Sequence, residues 1–132
     1  MATLVKDRKK SSAQYVYNCV LIYAHIRKYY KKLKVFGAEY RSQIVDSSSK
    51  LLFFVNKANN IPLDSIRYKD RIIALEEAKY NLIYLENIIS IFETDEYEEL
   101  STYFWNHLGE LMEEEQRLLK GCIDMIYSKF NK

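Results

Sequence analysis

Apolar residues recur along this chain with the period of a helix, four times in succession. Tyr15, Cys19, Ile22, Ile26, Tyr29 and Leu33 follow at steps of four and three, and Val16, Val20, Tyr23 and Tyr30 widen the stripe. Ser11 or Ser12 can cap this helix, and Gly37 supplies a break after about residue 34. A second stripe, Tyr40, Ile44, Ser47, Leu51, Val55 and Ala58, runs straight through Ser47-Ser48-Ser49. Three serines in a row suggest a loop, yet the unbroken spacing predicts a helix whose small residues let a neighbour approach closely. Asn59-Asn60-Ile61-Pro62 stops it, because proline disfavours helix in the residue before it.

The third stripe is Tyr68, Ile72, Leu75, Ala78, Leu82, Leu85, Ile89 and Phe92, with Asp64 or Ser65 as its cap. Asp95 with Glu98 three residues later gives a capping-box-like start to the fourth, whose stripe is Tyr97, Leu100, Phe104, Leu108, Leu111, Leu118, Cys122 and Met125. The predicted helices are 12–34, 38–59, 65–93 and 96–129, preceded by a basic N-terminal arm over 1–11. Short links force antiparallel neighbours, so the expected fold is all-α: a single domain, 1–132, built as an antiparallel up-down-up-down four-helix bundle with little room for a pocket.

Composition agrees. The 132 residues are 48% apolar and 29% charged, with only 3 Gly and 1 Pro, which suits one helical domain and not a disordered chain. No apolar run approaches the roughly 18 residues of a membrane span, and the first ten residues lack the apolar core of a signal peptide. With Cys19 and Cys122 isolated, the expectation is a cytoplasmic protein with two buried thiols.

No catalytic residues are expected. The chain has no G-x-G-x-x-G, Walker loop, G-x-S-x-G or H-E-x-x-H. A di-metal bundle needs Glu-x-x-His pairs, but Ile22 stands three before His25 and Phe104 three before His107. No metal site or cofactor is therefore expected, and each histidine reads as a core-edge or surface residue. Glu113-Glu114-Glu115 reads as a solvated face.

Charge changes the picture. The formal net charge is +2, yet residues up to Arg71 total +10 and those from Ile72 onward −8. Threaded through the bundle, the basic run Arg27–Lys34 with Arg41 shares an end with the acidic turn before the fourth helix, and that end is −2. The opposite end, with Lys6, Arg8, Lys9, Lys10, Lys57, Arg67, Lys69, Arg71, Arg117, Lys120, Lys129 and Lys132, is +8. Arg67, Lys69 and Arg71 sit in the first turns of a helix, where the dipole disfavours cations, so a phosphate backbone is a reason for their presence. Tyrosine is the other excess, at 12 residues. Tyr17, Tyr80, Tyr84 and Tyr103 fall beside or off the stripes, which suits an interface between subunits.

From about Val20 to Ile123 the chain resembles a small four-helix-bundle family. That family includes the accessory variability determinant (Avd) of diversity-generating retroelements and proteins encoded in ribosomal-RNA intervening sequences. The likeness is carried by Phe36-Gly37, Arg41, Ile44, Leu51-Leu52 and Ala58-Asn59. It continues through Arg67–Arg71, Leu75, Ala78, Leu82, Leu85, Tyr97-Glu-Glu-Leu100, Leu108-Gly109 and Leu111. The resemblance implies a non-catalytic partner of a reverse transcriptase that binds RNA or RNA–DNA hybrid as a homopentamer during mutagenic cDNA synthesis. It adds Arg41 to Lys6, Arg8, Lys9, Lys10, Lys57, Arg67, Lys69, Arg71 and Lys120 as expected nucleic-acid-binding residues. A scaffold for protein partners, with the basic end meeting an acidic one, is the alternative.

Overall fold

The computed structural model describes residues 13–33, 37–93 and 102–130, and these form four helices with no strand among them. They are α1 (Gln14–Lys28), α2 (Ala38–Asn60), α3 (Tyr68–Glu93) and α4 (Thr102–Phe130). Each packs against its neighbours in a ring, α1 on α2, α2 on α3, α3 on α4 and α4 on α1. Side-chain partners give the directions. Tyr15 at the start of α1 meets Asn59 at the end of α2, and His25 near the end of α1 meets Phe104 at the start of α4. Tyr68 opening α3 stacks on Phe130 closing α4. The chain is therefore an antiparallel up-down-up-down bundle, as its periodicity predicts.

The core is the set of inward stripes. Cys19, Ile22, Ile26, Leu51, Val55, Leu75, Leu82, Leu85, Phe104, Leu108 and Leu119 are all buried. The serine run lies inside an uninterrupted α2. Ser47 and Ser48 are buried, Ser49 is exposed, and the Ser48 hydroxyl donates to the Val45 carbonyl at 2.8 Å. That bond to its own helix lets a polar residue occupy a core position without an unpaired group.

Three expectations are corrected. First, α1 ends at Lys28 and not near Lys34. Its last turns tighten, with Tyr29 and Tyr30 donating to carbonyls three residues back, and the turn delivers Leu33 into the core. Ala13 holds the N-cap position in place of a serine. Second, the lower half of α4 buries Met112, Glu115, Leu119, Ile123 and Ile126, while Leu118 and Cys122 are half-buried and Met125 is exposed. Third, Glu115 is not on a solvated face. It is 0% exposed. Of the two places expected for a histidine, His25 takes the core edge: it is buried, and its Nε2 donates to the Phe104 carbonyl at 3.1 Å. Its ring lies among those of Tyr29, Tyr103, Phe104 and His107.

Asp64 caps the turn that leads into the third helix, its Oδ1 accepting from the backbone N–H of Ile66 and Arg67, and α3 itself begins at Tyr68, three residues later than expected. The basic arm, the Ser11 and Ser12 caps, Lys34, Phe36, the Asp95/Glu98 pair, Tyr97, Leu100 and Lys132 lie outside the described residues.

Candidate functional site

The end where α2 stops and α3 starts gathers the basic residues, and the fold sends them in three directions. Arg67 turns toward α2. With Lys57, Asn60, Ile61, Asp70, Ile73 and Glu77 it lines an open groove of about 500 Å³. Lys69 turns toward α4, lining a smaller groove with Tyr68, Ile72, Ile73 and Tyr127. Its ammonium stands 6.0 Å from the Tyr68 ring. Arg71 turns inward. Its Nη1 donates to the Ile61 carbonyl at 2.9 Å and its Nη2 to the Tyr15 hydroxyl at 3.2 Å, and that hydroxyl donates to Asn59 at 3.1 Å. Arg71 thus ties α3 to the end of α2 and the start of α1. Its Nε is buried with no hydrogen-bond partner.

Lys69 and Arg71 lie two apart on α3 and project on nearly opposite sides, while Arg67 stands in the turn before the helix. Arg67, Lys69 and Arg71 read as one cluster in the sequence, but only Arg67 and Lys69 face solvent. Lys57, Lys120 and Lys129 are also exposed toward this end. Arg117 is held by Glu114 on its own helix. Arg41 lies at the other end, its guanidinium over the Tyr30 ring at 4.5 Å.

Of the tyrosines, Tyr80, Tyr84 and Tyr103 are exposed and Tyr17 is half-buried. Tyr80 and Tyr84 lie on α3. Tyr103 instead stacks on His107, on the side of the bundle that meets α1.

The residue that sequence reasoning missed is Glu115. Its Oε1 accepts from Asn18 Nδ2 at 3.1 Å, and the same amide donates to the Leu111 carbonyl at 2.8 Å. Oε2 is buried with no hydrogen-bond partner. Burial pushes the carboxyl up from the ordinary 4.5 to about 8, against the pull of Asn18 and with a small push from Glu114. Burial also raises the Cys19 thiol, helped by Glu115, and the half-buried Cys122 thiol. Neither thiol is activated. The signal in the sequence was positional: Glu115 fills the step between Leu111 and Leu119.

Among the described residues no group of three or more His, Cys, Asp or Glu side chains could hold a metal ion. No helix among them is long and apolar enough to cross a membrane. Comparison with protein-family models, with curated proteins and with solved structures finds no match to this chain.

Proposed function

We propose that this chain is a non-catalytic accessory protein that holds RNA, or RNA–DNA hybrid, beside a reverse transcriptase. The observation that carries the reading is the set of exposed cations at one end: Lys57, Arg67, Lys69, Lys120 and Lys129. Asp64 accepts the backbone N–H groups of Ile66 and Arg67, and Asp70 and Glu77 share the groove with Arg67. The exposed Tyr127 and half-buried Tyr68 beside Lys69 add ring surface on which a base can stack. The reverse transcriptase comes from the resemblance to the Avd family.

Salt titration of RNA affinity tests this. Changing Lys57, Arg67 and Lys69 together to Glu is expected to abolish most binding. Single changes to Ala lower the log–log salt slope by about 0.7 to 0.9 per lost phosphate contact. All three side chains are exposed, so the variants keep their fold. Unchanged RNA affinity in the triple variant overturns the assignment.

A second reading, a scaffold that binds only proteins, is favoured by one observation: α3 is apolar on its outer face as well as its inner one. No binding of RNA, DNA or hybrid at low salt by the unaltered chain selects that reading.

A further inference from the structure

The outer face of α3 has a pattern of its own. Moving along it, the exposed positions Asp70, Ile73, Glu77, Tyr80, Tyr84, Asn87 and Ile91 form one line, and Ile66 is exposed in the turn just before the helix. The steps alternate four and three throughout, which is the heptad seam of a helix that packs against another helix. The inner stripe, Ile72, Leu75, Ala78, Leu82, Leu85 and Ile89, is already buried against α2 and α4. This is therefore a second seam. Four of its seven positions are large and apolar, and with the flanking Ile83 and with Ile66 in the preceding turn they are 37% to 86% exposed.

The seam is also self-complementary. Set against a copy of itself running the opposite way, Asp70 falls opposite Asn87, Ile73 opposite Tyr84 and Glu77 opposite Tyr80, and Ile91 comes against the turn that carries Ile66. Ile73 and Tyr84 meet each other twice, once on each side of the axis, and no charge meets a like charge. The Tyr80 hydroxyl can donate to the Glu77 carboxylate across the axis.

We propose that two copies of this chain associate through α3, antiparallel and related by a two-fold axis between positions 78 and 79. Charge selects the direction. Arg67 just before α3 and Lys69 in its first turn are exposed at the positive end of that helix, where its dipole disfavours cations. An antiparallel partner brings the negative end of its α3 dipole alongside these cations, whereas a parallel one sets cations against cations. Area is sufficient. At roughly 200 Å² per fully exposed large side chain, the six apolar residues offer about 600 to 700 Å² per protomer, or about 1,300 Å² for the pair, within the range of stable interfaces. A two-fold seam closes at two chains. It therefore departs from the five-fold assembly that the family resemblance implies, and it stands whether or not the chain binds RNA.

Light scattering after size exclusion at tens of micromolar is expected to give twice the 15.8 kDa chain mass. Ile73→Glu and Tyr84→Lys each place a charge in the seam and are expected to weaken association at least tenfold while leaving the helical circular dichroism unchanged. Mixed in equal amounts, the two variants are expected to recover a dimer, because Ile73→Glu of one chain then meets Tyr84→Lys of the other. A parallel pair, in which position 73 meets position 73, gives no such rescue. A monomer for the unaltered chain, a mass of five chains, or failure of the mixture to dimerise overturns the proposal.

Discussion

Glu115→Gln is expected to remove most of the pH dependence of stability between pH 4.5 and 8 and to stabilise the protein at the alkaline end of that range. The side chain is wholly buried and its pKa stands at about 8 in the folded chain against an ordinary 4.5. Below 4.5 the folded and unfolded chains both carry the proton. Between 4.5 and 8 the unfolded chain has released it and the folded chain retains it. Folding then takes up a proton, and each pH unit lowers the unfolding free energy by about 1.4 kcal/mol. The favourable contribution is complete at acid pH and lost as pH rises through 8. The full change is about 5 kcal/mol, a large share of the roughly 5–15 kcal/mol that holds a small domain together. Glutamine keeps the acceptor for Asn18 but cannot ionise, so denaturant midpoints of the variant should lose this fall with pH and keep only the opposite slope of His25, whose pKa burial holds below 6.5. Curves for the two proteins that run parallel from pH 4.5 to 8 would sink this account of Glu115.

The same residue explains where the sequence could be read and where it could not. Periodicity reports burial only as long as buried positions are apolar. On α2 that held even through Ser47 and Ser48, because a serine is small and can bond to its own helix, so the stripe continued on both sides. On α4 it failed. A glutamate between Leu111 and Leu119 looks like surface, and skipping it shifts the reading onto Leu118, Cys122 and Met125, a quarter turn from the true face. Only a tertiary partner, Asn18 on α1, makes the position tolerable. Asp64 was legible for the opposite reason, since a cap is local. The candidate site was legible in kind but not in detail. Charge counting found the basic end, and helical phase parts Lys69 from Arg71, but which of the two turns inward depends on the helices that α3 meets, Ile61 and Tyr15 being the partners of Arg71. Tyr80 and Tyr84 were visible as surplus tyrosines. Ile66, Ile73 and Ile91 were not, because a helix with two apolar faces blurs the contrast that periodicity depends on.

Arg71→Met is expected to destabilise the bundle by about 2 to 4 kcal/mol while leaving the salt slope of RNA binding unchanged. The guanidinium makes two hydrogen bonds from one planar fork, to the Ile61 carbonyl just past the end of α2 and to the Tyr15 hydroxyl on α1. Charge-assisted bonds of this kind contribute about 1.5 to 3 kcal/mol each, and losing the donor leaves the half-buried Ile61 carbonyl and Tyr15 hydroxyl short of a partner. Methionine preserves much of the apolar stem, so packing loss is small and the effect isolates the fork. Lysine keeps the charge but presents a point donor, so Arg71→Lys should recover less than half of the loss. The Tyr15 hydroxyl gives an independent readout. Burial raises its pKa and Arg71 opposes the rise, so removing the cation should move Tyr15 titration further toward alkaline pH. Lys69→Ala makes the contrast. It faces solvent, so it is expected to leave stability within about 0.5 kcal/mol and to lower the salt slope. If Arg71→Met leaves the unfolding free energy where it was and weakens RNA binding instead, the inward fork is not what holds this end of the bundle, and Arg71 belongs with Arg67 and Lys69 on the ligand.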